Sequence, residues 1–290
     1  MKFAYYPGCS LHGTAKEYGQ STAAVCRHLG IELHEIPDWN CCGASSAHAT
    51  SKVLSLALPA RNLAQAEQMG EDMLLPCAAC YSRMAETKHE LSHNDILRHK
   101  VNEIIEMDYD AKGDVLHLLQ VVAGDEGMAL VKDKVVKPLT GLKVAAYYGC
   151  LLVRPPEVTG FDDPENPQSM DRLLRLLGAE PVDWTHKVEC CGASLSVGRS
   201  DIVTKLTGDI LEAAKAAGAE VIAVACPMCQ SNLDTRQTAA ERRNAEKYDL
   251  PIVYITQLMG LAFGLDPALL SLNTHEVDPR ARLRAKNIGA

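Results

Sequence analysis

Four short apolar runs bounded by Gly or Pro punctuate the chain, at Lys2–Tyr6, Met73–Pro76, Lys143–Tyr148 and Glu220–Ala225. Apolar stretches of that length suit buried strands. Between them, Ala57–Gln68 and Ile202–Ala217 are Ala-rich and amphipathic, which predicts helices. Strands alternating with helices of this size point to α/β units around a largely parallel sheet.

The cysteines turn this pattern into a repeat. They stand at 9, 26, 41, 42, 77, 80, 150, 190, 191, 226 and 229. Without Cys26 they form two matching sets of five, each reading Gly-Cys, then Cys-Cys-Gly-Ala-Ser, then Cys-x-x-Cys. From the double cysteine to the Cys-x-x-Cys there are 34 intervening residues in both sets. The first interval differs, with 31 residues between Cys9 and Cys41 and 39 between Cys150 and Cys190. Length changes of that kind belong in surface loops, whereas an equal spacing crosses packed structure.

Other phrases recur in step. Tyr6-Pro-Gly-Cys9 matches Tyr147-Tyr-Gly-Cys150, and Val115-Leu-His-Leu-Leu-Gln120 matches Ile252-Val-Tyr-Ile-Thr-Gln257. The period is too long for a solenoid, whose repeats run to roughly 20–50 residues. The expected organisation is therefore one domain at 1–140 and its copy at 141–290, joined through Lys132 to Lys143. Cys9, Cys77, Cys150 and Cys226 then fall just after strands, where open α/β sheets place ligands.

Composition narrows the chemistry. The formal charge of −8 over 290 residues argues against a nucleic-acid binder that lives on phosphate neutralisation. Pro251 to Leu265, the most apolar late stretch, is interrupted by Thr256, Gln257 and Gly260, so no membrane span is expected. No early segment reads as an export signal, which predicts a cytoplasmic protein with reduced thiols. Adjacent Cα atoms lie ~3.8 Å apart, below the ~4.4 Å lower end of disulfide geometry, so Cys41–Cys42 and Cys190–Cys191 are poor bridges. Cys26, without a counterpart, reads as a packing residue.

Ten cysteines in duplicated spacing fit metal binding. A Cys-x-x-Cys with a second pair would satisfy a four-thiolate zinc site but leaves the fifth cysteine unused. An iron–sulfur cluster is held by thiolates, and two adjacent cysteines can serve different irons. The pattern favours iron–sulfur, with zinc as the alternative.

The two cysteine sets resemble the duplicated cysteine-rich domain of the heterodisulfide reductase B-subunit family, over nearly the whole chain. Similar sets occur in glycolate oxidase iron–sulfur, lactate-utilisation and thiol:fumarate reductase proteins. The resemblance implies two homologous Rossmann-like α/β cysteine-rich domains related by internal duplication. It implies one non-cubane [4Fe–4S] cluster on Cys9, Cys41, Cys42, Cys77 and Cys80, and a second on Cys150, Cys190, Cys191, Cys226 and Cys229. It further implies reduction of a disulfide substrate between the clusters. Electrons would be fed by two partners of that family's complexes, a ferredoxin-like iron–sulfur protein and a flavoprotein. The alternative function is a non-catalytic electron-transfer subunit of a flavin-dependent hydroxy-acid dehydrogenase.

Gly43 and Gly192 would let backbone approach a cluster closely, and their N–H groups would bond to sulfide. His12 and His48 are candidate proton donors near the first set; Val153 and Val197 hold the matching positions of the second. His89-Glu90-Leu91-Ser92-His93 spells the zinc-hydrolase motif, but charged neighbours on every side read as a solvated helix. There is no G-x-G-x-x-G and no phosphate loop, so electrons must come from a partner.

Overall fold

The computed structural model describes residues 1–44 and 47–289. Two sheets of four strands carry it. The first comprises β1 (Lys2–Tyr5), β2 (Glu32–Glu35), β3 (Met73–Leu75) and β4 (Val115–His117); the second comprises β5 (Lys143–Tyr147), β6 (Glu180–Pro181), β7 (Val221–Val224) and β8 (Ile252–Tyr254). Their orders are β2-β1-β3-β4 and β6-β5-β7-β8, with every neighbouring pair parallel. This is the duplicated Rossmann-like α/β architecture that the repeat implies.

The four apolar runs became the central strands of both sheets, buried along nearly their whole length. Sequence patterning missed the strands outside them. Glu-Leu-His-Glu of β2 is mostly solvent-facing at a sheet edge, and β6 is only two residues long; such edges form because a neighbour's backbone offers hydrogen bonds. The first predicted helix starts earlier, at Lys52, and runs to Met69 with Pro59 in its interior. The second runs from Ser200 to Ala216.

The repeated phrases at 115–120 and 252–257 prove to be a strand turning directly into a helix. His117 and Tyr254 are the residues preceding helices Leu118–Ala123 and Ile255–Ala262; His117 is tied into a reciprocal cap with Gln120, and Gln257 reaches back to Tyr254 in the same way as Gln120 does to His117. The glutamine side chains accept from the backbone N–H groups of His117 and Tyr254 at 2.6 and 2.9 Å. This satisfies donors that a helix start would otherwise leave open.

Those two helices also interlock the halves. Helix Leu118–Ala123 packs on Ser169–Leu176 of the second half, while Ile255–Ala262 packs on Lys16–Leu29 of the first. Tyr18 stacks on Tyr254 with centroids 4.1 Å apart and planes 4° from parallel. Ser21 Oγ meets Thr256 Oγ1 at 2.8 Å, and Tyr81 donates to the Thr159 carbonyl at 2.8 Å. The joint near Lys132–Lys143 begins inside helix Asp125–Lys134 and ends at β5. Among the described residues, no helix is long and apolar enough to cross a membrane.

Candidate metal centre

In each sheet the strand order reverses between the two central strands, β1 and β3 in one, β5 and β7 in the other. Loops diverge there, leaving a crevice at the carboxyl ends of the strands where doubly wound sheets hold ligands. Cys9 and Cys150 follow β1 and β5. Cys41–Cys42 and Cys190–Cys191 lie on the loops after β2 and β6. Cys77 and Cys226 follow β3 and β7 and precede helices Ala78–Ser92 and Pro227–Thr235, which carry Cys80 and Cys229 on their first turns. Topology thus delivers five thiols to the same end of each sheet.

The thiols meet in contacts that repeat between the halves. Cys42 and Cys80 sulfurs are 3.3 Å apart, and Cys191 and Cys229 sulfurs 3.7 Å. Hydrogen bonding from Cys41, then from Cys80, pushes the Cys42 pKa down to about 3. In the second half the Cys150 thiol, with the Gly192 N–H, pulls Cys190 down to about 6 against partial desolvation. Cys226 is held well below the ordinary thiol range by Cys229 and Cys77, helped by backbone N–H groups of the helix it precedes. Cys77 rises correspondingly, mainly through its hydrogen bond with Cys226. Thiolates are the form that binds metals.

Backbone supports recur as well. Tyr6 donates to the carbonyl of Asn40 at 2.9 Å and Tyr147 to that of Glu189 at 2.6 Å, each the residue immediately before a double cysteine. Each tyrosine therefore pins the Cys-Cys loop to the end of its central strand. Gly43 and Gly192, at φ of 71° and 76°, aim their N–H groups at Cys41 and Cys190 sulfur, 3.5 and 3.3 Å away. A Cβ on Gly8 would stand 3.2 Å from Cys80 sulfur, and one on Gly149 3.2 Å from Cys229 sulfur.

A cavity of about 240 Å³ is lined by all five cysteines of the second set. Ala44, Ala78 and Ala79 of the first half form its opposite wall, with Leu151 and Met228 closing it. That volume is many times the ~10–15 Å³ that admits one water, so five soft donors face a space suited to a multi-atom group. Cys9, Cys41 and Cys190 are exposed and Cys150 is half-buried, whereas Cys42, Cys77, Cys80, Cys191, Cys226 and Cys229 are buried. Each set therefore combines buried sulfurs with at least one that is open or half-open to solvent.

Cys26 lies outside both sets, fully buried in helix Lys16–Leu29, where burial raises its thiol to about 12. His12 sits three residues after Cys9, is 54% exposed, and faces Glu35 at 3.6 Å and the Trp39 ring. The side chain of His48 lies outside the described residues. In the zinc-hydrolase pattern, His89 and His93 are exposed and Glu90 pairs with Lys52 at 3.2 Å. Two supports escaped the sequence reading. His117 is one; its place in a repeated phrase was the available signal. The other is the buried pair Lys187–Asp171, 2.8 Å apart, whose carboxylate also accepts from Tyr148 beside Cys150; neither spacing nor recurrence marks it.

Residues 3–85 and 144–234 each match the family model described as CCG, cysteine-rich domain. The chain is 35% identical, over 96% of itself and 97% of the relative, to the 8-methylmenaquinol:fumarate reductase membrane anchor subunit of Wolinella succinogenes. It is 29% identical, over 95% and 94%, to the B subunit of the ferredoxin:CoB-CoM heterodisulfide reductase of Methanosarcina mazei. Among solved structures, a hypothetical protein from Helicobacter pylori superposes with a TM-score of 0.73 at 13% identity. That likeness, which shows the fold alone, covers 96% of this chain and 52% of the other.

Proposed function

The chain belongs to the cysteine-rich CCG domain family, and on that premise we propose that it is an iron–sulfur subunit of heterodisulfide-reductase type that delivers electrons to a disulfide. The observation that carries this reading is the pair of matching five-thiol sets at the two switch points, touching through Cys77 and Cys226. Cys9, Cys41, Cys42, Cys77 and Cys80 would hold one non-cubane [4Fe–4S] group, and Cys150, Cys190, Cys191, Cys226 and Cys229 the other. When bound, such groups supply electrons one at a time.

The residues account for the rest. Lowered pKa values at Cys42, Cys190 and Cys226 present thiolates without loss of a proton at neutral pH. The side chains of Ala44, Ala78, Ala79, Leu151 and Met228 give the space beside the second set an apolar wall. A disulfide taking up two electrons and two protons leaves as two thiols, and its access is from the exposed side of Cys9, Cys41 and Cys190. His12, on the helix that carries Cys9, is the proposed proton donor. Exposed Leu151, Leu195 and Val197 border the second set and suit a partner face, taken by a ferredoxin-like iron–sulfur subunit that is fed in turn by a flavoprotein.

A second reading is an electron relay without disulfide chemistry. The 35% relative, named as a subunit of a quinol:fumarate reductase, favours it. Anaerobic reconstitution with iron and sulfide, followed by metal analysis, tests the ligand sets; about eight irons per chain are expected from two four-iron groups. One-electron reduction with a reduced viologen should then drive consumption of the coenzyme M–coenzyme B heterodisulfide or another small disulfide. A fully loaded chain that reduces no disulfide but passes quinol-derived electrons to a flavoprotein would replace the first reading by the second. Zinc alone would sink both.

A further inference from the structure

His117 ends β4, and its ring is wholly buried. Nδ1 accepts the Leu119 N–H at 3.1 Å, as part of the helix cap. A nitrogen that accepts carries no proton, so in the neutral ring the hydrogen is on Nε2. Burial keeps the ring neutral, with its pKa pushed down to about 4. Nε2 lies 3.1 Å from the Pro76 carbonyl and 3.0 Å from the Ala225 carbonyl. These carbonyls belong to different halves, and each immediately precedes the first cysteine of a Cys-x-x-Cys turn. One N–H is thus shared between the two backbones that present Cys77 and Cys226.

Among the described residues, no other side chain of the repeat duplicates this. The equivalent position in the second half is Tyr254, which stacks on Tyr18. Tyr18 donates to Pro76 at 2.9 Å, so it steadies the first turn but does not reach the second. Tyr81, on the helix after Cys77, packs edge-on to the His117 ring at 5.8 Å and restrains it from the side.

We propose that His117 is a positioning residue that holds both Cys-x-x-Cys turns in register from one imidazole and so sets the contact between Cys77 and Cys226. What that contact conducts rests on the iron–sulfur reading; the positioning itself concerns only the chain's own loops. Asn at this position keeps a δ-oxygen for the Leu119 N–H, as at ordinary helix starts, yet is too short to reach both carbonyls. Gln carries its amide N–H about as far out as Nε2 and restores a donor.

The metal-free chain, prepared under chelator and treated anaerobically with diamide, links thiols that lie close together, two hydrogens passing to the diamide for each disulfide. Peptide mass spectrometry then gives the ratio of Cys77–Cys226 to Cys77–Cys80 linkage. One hydrogen bond's net worth shifts such a ratio about fivefold, so His117→Asn should lower it by about that factor and His117→Gln should recover most of it. Far-UV circular dichroism checks that each variant folds. An unchanged ratio in folded His117→Asn overturns the proposal. Should neither variant fold, nitrogen NMR of the wild-type chain decides, because an Nδ1-protonated His117 is incompatible with the shared bond. Normal iron loading with an unmoved ratio removes the positioning role alone; a moved ratio in a chain that takes no iron removes the function alone.

Discussion

Cys77 and Cys226, the first cysteines of the two Cys-x-x-Cys turns, bring their thiols together across the halves of the molecule. Both are buried. Of the two, Cys226 holds the charge, because hydrogen bonds from Cys229 and Cys77 and the N–H groups of Cys229 and Met228 converge on it. The contact depends on interlocked halves: each half's late helix packs on the other's first long helix or its counterpart. Separate domains on a flexible joint would leave the two sulfurs apart.

Cys26→Ala should keep the full metal complement of the wild-type chain. The thiol is buried in a helix and far from thiolate character, so its loss costs only packing, about 1 kcal/mol. Cys42→Ser or Cys226→Ser should lose about half of the bound iron, because serine is a poor soft-metal ligand. Iron analysis compares the three; equal loss from Cys26→Ala would refute the assignment of the sets.

Gly8→Ala and Gly149→Ala should be destabilising and also impair metal retention. Both positions have positive φ, 72° and 69°, which costs an L-residue about 1–2 kcal/mol. In addition the new methyl would press on Cys80 or Cys229 sulfur. Gly70→Ala is the control: its φ is 69° with open space around the site, so urea denaturation should show the backbone cost while iron content stays whole.

Tyr6→Phe and Tyr147→Phe should each loosen one Cys-Cys loop. Each removes the hydroxyl that holds the Asn40 or Glu189 carbonyl, worth about 1 kcal/mol. Faster chelator-driven loss of iron from the affected half is the expected signature. Rates equal to wild type in both variants would mean the loops are held without these bonds.

Stability should fall as the pH drops from about 6.5 to about 4. His275 is buried against Gln230 and Gln257, and burial pushes its pKa down to about 4, against the pull of Asp278. Asp234, 3.9 Å away, faces the same ring. Above pH 6.5 both folded and unfolded chains keep this ring neutral. Between 6.5 and 4 only the unfolded chain takes up the proton, so unfolding is favoured by up to about 3 kcal/mol. Below about 4 the folded ring protonates too and the slope ends. His117, buried with its pKa also pushed down to about 4, adds a similar slope, so His275→Gln should remove about half of it in thermal melts; an unchanged profile would assign the acid loss to other groups.

The duplicated cysteines, the α/β class and the four central strands were legible in the sequence because each rests on local information. Five cysteines recurring in the same order, with 34 residues before each Cys-x-x-Cys, announce a repeat, and an uninterrupted apolar run announces a strand covered on both faces. β2 and β6 were not legible, since their polar residues acquire strand geometry only from a neighbour's backbone. Tyr6 and Tyr147 stood out as repeated, but nothing local tells that their hydroxyls reach carbonyls next to the double cysteines.

The relation between the two sets belonged to the tertiary structure alone. Spacing within each half predicts five thiols at one sheet end, and says nothing about how two such ends face each other. That was decided by the reciprocal packing of helices Leu118–Ala123 and Ile255–Ala262 and by His117, whose single N–H spans two loops far apart in sequence. Contacts between halves depend on shape and buried hydrogen bonding summed over many residues. A linear pattern of apolar and polar positions does not encode that sum, so only the folded chain brings Cys77 to Cys226.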